Sequence, residues 1–447
     1  MKEKDTFYRT VWKIALPVTL QSLLQSSFSV VDQIMTGQLG STGIAGIGLA
    51  GKFSSVFSVV VSAVAAAAGI MISQYIGRKD MREVSRSFFV NLAAALGLAL
   101  VFTLLCTGLP GKIMGLYSKE ELTREAAAGY LKILSISYVP AAVTSLLSTL
   151  LRCMEAAFLP LAAGIAAALV NTCLNYVLIF GKFGFPALGV DGAAIATAVS
   201  QMAGCLLTAG MFWRCCRRKN FRLQAAFRMG QEKRRQYLGI LLPILACEFL
   251  WSLGENVYAA IYGHIGTQPC AAMTLTYPIQ TLFIGALSGL SQAAGIMIGK
   301  SLGSGENEKA YQNGKKLMLC GLAGSLVLSA TLVIARGSYV QIYRVEDTVK
   351  ELTKQILTGY ALIAPVKVQN MILGGGILRS GGRTDYVMYI DFIGTWLFGV
   401  PLGLLAAFVL KLSIPWVYLM LSLEECVRLG LSFAVFKKKV WMRRLQA

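Results

Sequence analysis

Residues 68–72 read Ala68-Gly69-Ile70-Met71-Ile72, and the same five residues return as Ala294-Gly295-Ile296-Met297-Ile298. The offset of 226 positions is not local. It also sets Pro17 on Pro243, Gly37 on Gly263, Gly40 on Gly266 and Gly77 on Gly303, and an offset of 227 sets Leu151-Arg152 on Leu378-Arg379. An offset held constant from Pro17 to Gly77 is more than apolar composition produces by chance. The sequence is therefore read as two similar halves, 1–225 and 226–447.

Each half consists of long apolar runs. Of the residues, 55% are hydrophobic and only 14% charged, against about 25% charged in soluble globular chains, and the mean hydropathy is +0.62. A bilayer is crossed by roughly 20 apolar residues in a helix. Runs of that kind fall at 14–36, 44–76, 86–110, 127–151, 158–181 and 190–213, then at 236–263, 270–302, 315–336, 352–378, 385–410 and 413–436. The expected fold is all-α and integral to the membrane, with twelve transmembrane helices in two six-helix bundles. Six is even, so both bundles enter from the same side. Their pseudo-twofold axis then runs along the membrane normal, as in transporters built from parallel repeats. Two such bundles would leave a cleft near the midplane that rocking exposes to alternate sides. A duplicated channel or a non-transporting scaffold is the competing reading.

The net charge of +20 would suggest nucleic acid in a soluble protein. Here the basic residues gather between spans. They crowd the N-terminus (Lys2, Lys4, Arg9, Lys13), the second loop (Arg78, Lys79, Arg82), the stretch 214–235 and the C-terminus (Lys437 to Lys439, Arg443, Arg444). All of these lie on one side if the helices alternate. By the positive-inside rule both termini and the 214–235 linker are expected in the cytoplasm, and nucleic acid is not expected as a partner. The N-terminal segment lacks the small-residue cleavage pattern of a signal peptide. The ten cysteines form no CxxC and no Cys/His cluster, so buried free thiols are expected and no metal site.

Ionisable groups inside spans are costly and mark function by default. In the first span Asp32 shares a face with Gln21, Gln25 and Ser29 at about 100° per residue. That stripe must meet protein or water; a purely structural hydrogen-bonding role is the alternative. Asn171 and Asn175, one turn apart in the fifth span, could bond a carboxyl of the first helix or simply join helices. The seventh span, the repeat of the first, carries Glu248 and Glu255. Lys367 lies in the tenth span and Asp391 in the eleventh. A buried lysine beside two aligned glutamates suggests that Lys367 pairs with Glu248 or Glu255. Glu424, Glu425 and Arg428 read as a local structural group, since Glu425 and Arg428 are three residues apart. His264, the one histidine, reads as a solvated residue at a helix end.

Some motifs mislead. Gly46 to Gly51 fits GxGxxG, yet no strand precedes it, and Gly295 to Ser301 is one residue short of a phosphate loop. No enzyme signature and no cofactor site remains.

The stretch from Leu16-Pro17 through Val31-Asp32-Gln33-Ile34-Met35-Thr36-Gly37-Gln38-Leu39-Gly40 resembles the first helix of the multidrug and toxic compound extrusion (MATE) family. The run 171–181 (NTCLNYVLIFG) with the GFPALGVDGAAIAT that follows resembles its fifth and sixth helices. Glu248 to Gly254, then Ile261-Tyr262-Gly263, resembles the seventh helix of a bacterial subgroup, and Gly376 to Gly382, Asp391 and Trp396 to Pro401 resemble the tenth and eleventh. The resemblance covers nearly the whole chain. It implies a secondary antiporter, exporting amphipathic or cationic organic compounds in exchange for H⁺ or Na⁺. It places the chain in a bacterial inner membrane, working as a monomer with small organic substrates, a coupling cation and the lipid bilayer as its partners. Asp32 takes the family's first-helix coupling position and Glu248 the acidic position of the seventh helix, with Glu255 beside it. Gln21, Gln25, Ser29, Asn171, Asn175, Lys367 and Asp391 form the surrounding network. The pattern departs where Asn175 replaces an acid of some members, where Arg383 replaces the usual Asp, where Glu255 replaces an apolar residue, and where Lys367 is the charge near Val368, about which some members carry a tenth-helix acid. A lipid-linked oligosaccharide flippase of the same superfamily is the runner-up.

Overall fold

The computed structural model describes residues 2–226, 230–343 and 345–445, with side chains from residue 7 onward. Among them there is no strand. Twelve long helical segments follow one another: α1 (Lys2–Thr36), α2 (Gly40–Gly77), α3 (Met81–Gly108), α4 (Glu121–Cys153), α5 (Phe158–Phe180), α6 (Gly189–Arg218), α7 (Gln231–Ile265), α8 (Thr267–Gly303), α9 (Asn307–Gln341), α10 (Asp347–Leu378), α11 (Thr384–Val409) and α12 (Ile414–Lys437). Eleven of them are long and apolar enough to cross a membrane. The exception is α12. Its 24 residues suffice in length, but any eighteen-residue stretch of it contains Glu424, Glu425 and Arg428. Those charges are met inside the protein, as described below.

Helix packing divides the chain into two compact units, Met1–Ile72 with Asp80–Met229, and Ser73–Lys79 with Gly230–Ala447. The division falls close to the two halves of the repeat, except that the last turns of α2 go with the second unit. There a side chain at Gly77 would strike the Lys300 backbone, and one at Gly303 the Gln74 carbonyl. The two glycines matched by the repeat thus let α2 and α8 approach backbone to backbone, the small-residue contact typical of membrane helices. Gly40 and Gly266 are also matched. Each stands at the corner joining the first two helices of its half, with φ +78° and +147°, which a side chain would strain.

Within the second unit α10 and α11 are locally underwound at Met371–Leu378 and Ile393–Gly399, where the backbone is π-helical. A π turn leaves carbonyls short of a partner, and in a membrane a neighbour must supply one. Ser291 of α8 donates to the Met371 carbonyl at 2.7 Å. The C-terminal tail folds back on the same unit. Trp441 is fully buried, and the side chain of Gln74, also fully buried, donates to Ser380 O at 2.8 Å and Arg443 O at 3.2 Å while accepting from Leu445 N at 2.9 Å.

Candidate functional site

In the first unit the polar groups form one chain across the helices. Asn175 of α5 donates to the Asp32 carboxylate at 2.5 Å and contacts the Asn171 amide oxygen at 3.3 Å. Asn171 reaches Thr197 of α6 at 3.4 Å, and Tyr130 of α4 lies beside Thr197. One turn apart on α5, Asn175 faces Asp32 of α1 while Asn171 turns to Thr197 of α6. Asn175 is fully buried, and its own amide oxygen has no partner. Asp32 forms no ion pair, because no basic side chain of this unit comes near it among the described residues; its one strong partner is a neutral amide. Of the remaining stripe, Gln21 accepts from Arg152 at 3.0 Å, and Gln25 and Ser29 are exposed.

The second unit is organised differently. Glu248 pairs with Arg379 at 3.3 Å. Arg379 also donates to the Cys247 thiol at 3.2 Å, and that thiol donates to Asp391 at 2.6 Å. Arg428 of α12 grips Asp391 with two nitrogens, its Nε at 2.9 Å, and stands 3.6 Å from Glu425. Glu425 further accepts from Asn370 at 2.7 Å and lies 3.9 Å from the Lys367 ammonium. Five acids and three bases thus meet inside one helical unit. Among the described residues these pairings engage Glu248, Asp391 and Glu425 and leave Glu255 and Glu424 without an ion pair. Glu424 accepts from Tyr258 at 2.5 Å. Both line a cavity of about 40 Å³ together with Lys367, Tyr277 and Tyr418, a space for a few water molecules rather than an organic compound. The Tyr418 hydroxyl is buried there with no bonded partner.

One expectation needs correction. Lys367 does not pair with Glu248 or Glu255 but with Glu425. Glu248 and Glu255 lie seven residues apart, about 10 Å along the helix, and Arg379 lies twelve residues beyond Lys367, about 18 Å. On antiparallel helices Arg379 meets the level of Glu248, and Lys367 meets that of Glu255 and α12. Glu425 and Arg428 do form the local pair expected of them, yet that pair is only one edge of the network holding Asp391, Asn370 and Lys367. Sequence reasoning missed Tyr130, Thr197, Tyr258, Asn370 and Cys247. Each looks like ordinary helix sequence, and the helix rotation that would reveal it is not written locally. His264 is exposed, its ring nitrogen 2.8 Å from the Ala260 carbonyl.

The family model described as MatE matches the chain twice, over residues 17–177 and 243–405. The chain belongs to the MatE family. The two matches begin on Pro17 and Pro243, the first pair of the internal repeat. Among curated relatives, the uncharacterized transporter YisQ of Bacillus subtilis is 20% identical, with 98% of this chain and 95% of that protein covered. A probable multidrug resistance protein NorM of Thermotoga maritima is 23% identical, over 97% and 92%. The solved Vibrio cholerae MATE transporter VcmN, in its bent form, superposes with a TM-score of 0.89 at 18% identity, covering 98% of each chain. As a MatE protein the chain is a multi-pass membrane transporter and not an enzyme.

Proposed function

We propose that this MatE transporter is a cation-coupled antiporter that exports amphipathic, often cationic, organic compounds in exchange for H⁺ or Na⁺ by alternating access. The observation that carries the reading is Asp32, a carboxyl inside a spanning helix that is hydrogen-bonded by a neutral amide and neutralised by no base. Such a group can be charged only where water or a cation attends it, so its occupancy can alternate with the state of the protein. Proton and substrate must then prefer different states, since equal binding to both would shift nothing. In the second unit Glu255, with Glu424 across the small cavity, is the matching candidate. Glu248, Asp391 and Lys367 are tied by ion pairs and are assigned to the frame around it. The names of the multidrug-resistance relatives agree with efflux of organic compounds. The flippase reading gains nothing from the second unit, where Lys367, Arg379 and Arg428 are each engaged by acids instead of being open to a phosphate. We place both termini and the 214–235 linker in the cytoplasm of a bacterial inner membrane, with the monomer as the working unit.

Dye efflux from inverted vesicles, with pH and Na⁺ gradients imposed separately, tests the proposal. One gradient should drive uptake of a cationic dye and its collapse should stop it. Transport indifferent to both gradients would overturn the antiport.

A further inference from the structure

The repeat makes an asymmetry visible. Offsets of 226 and 227 match Gln21 with Cys247, Ser22 with Glu248, and Arg152 with Arg379. The structure builds the same helix-to-helix link in both units, since Arg152 donates to Gln21 at 3.0 Å and Arg379 to Cys247 at 3.2 Å. The charge of Arg379 is then met by Glu248 at 3.3 Å. That of Arg152 is not. Serine stands at the matching place, and among the described residues Arg152 has no carboxylate partner. Its bonded side-chain partner is the neutral amide of Gln21, and its Nε is buried without a partner. Asp32, the acid within the first apolar span, is eleven residues beyond Gln21, about 16 Å along the helix. An unpaired cation held out of water is strongly unfavourable. A guanidinium also presents a planar fork that fits a carboxylate or phosphate with two parallel bonds.

We infer that Arg152, framed by Gln21, is an oxyanion seat in the first unit, taking a carboxylate or phosphate group. The group belongs either to a soluble compound or to an anionic lipid headgroup. This inference is independent of which cation drives transport.

The thermal midpoint of the purified protein in nanodiscs tests it, with inorganic phosphate added at constant ionic strength against chloride. Phosphate should raise the midpoint of the wild type. The rise should vanish in Arg152→Met. Gln21→Glu puts a carboxylate on the side chain that Arg152 already bonds, and so supplies the counter-charge that Glu248 gives Arg379. It should raise the midpoint without phosphate and abolish the response to it. If Arg152→Met does not fold, Arg152→Lys decides, because losing the fork should move the phosphate response to higher concentration. Nanodiscs of phosphatidylcholine with and without phosphatidylglycerol separate the two sources. Stabilisation by phosphatidylglycerol that needs Arg152 and is competed by phosphate assigns the seat to lipid. A phosphate response equal in both lipids assigns it to a solute. The seat is refuted if neither anion stabilises the wild type, or if Arg152→Lys or Gln21→Glu responds as the wild type does.

Discussion

What separates one buried acid from another here is its partner. Asp391 is clamped by Arg428 and bonded by Cys247, whereas Asp32 has an amide. Asp32→Asn keeps the shape and most of the hydrogen bonding. It should therefore fold and reach the membrane normally and lose gradient-driven efflux, with a dye-efflux assay beside a quantified immunoblot as the measurement. Efflux at the wild-type rate would make Asp32 structural and move the search to Glu255. The opposite pattern is expected at Arg428. Its removal leaves Asp391 without a basic partner and Glu425 with only Lys367 at 3.9 Å, and breaking a buried pair costs about 3–5 kcal/mol. Arg428→Met should thus lower the thermal midpoint sharply. Lys367→Met should lower it less, because the ammonium stands 3.9 Å from Glu425 and its side chain is a quarter exposed. The acids themselves were legible in the sequence, since a charge inside an apolar run declares itself. So were Asn175 as a partner for Asp32 and Arg428 for Glu425; the pairs of Arg379 with Glu248 and Arg428 with Asp391 were not, because which base a carboxyl meets depends on the height and rotation of a helix far away in sequence.

At the scale of helices, the apolar runs foretold position and number well, and α12 shows why composition alone is incomplete. Its three charges make it look like a poor span, yet each has a partner on α7, α10 or α11. The repeat also marked the glycines that matter, at the corners and at the α2–α8 contact, though not the reason for them. The π-helical turns of α10 and α11 left no trace that a single sequence could show. Nor did the tail, which reads as a basic, solvated end and is instead packed against Gln74. Gln74 makes three bonds in a fully buried place. Gln74→Leu fills the space and leaves Ser380 O, Arg443 O and Leu445 N without it. At about 1–3 kcal/mol for each buried group left unsatisfied, the variant should unfold several degrees lower in a thermal scan and expose the tail to carboxypeptidase. An unchanged midpoint with a protected tail would mean that Trp441 alone holds the segment.

For the whole molecule, the argument that two six-span halves share one orientation rests on parity and on where lysine and arginine lie. Both are read from sequence, and the double match of the family model supports the halves independently. Orientation is open to direct chemical labelling. The 214–235 linker is the place to probe it. Asn220 is exposed there, in the left-handed region with φ +48°, so a cysteine at that site would be open to a reagent. The exposed thiols Cys173 and Cys426 must first be replaced by serine to clear the background. In intact cells Asn220→Cys should resist a membrane-impermeant maleimide and react fully once the cells are opened. The reason is electrostatic and kinetic: nine lysines and arginines within 214–235 resist translocation during insertion, and an even number of spans on either side brings both termini to the linker's own side. Labelling in intact cells would reverse every helix at once. It would also turn the entrance assumed for substrate and for the coupling cation to the opposite face.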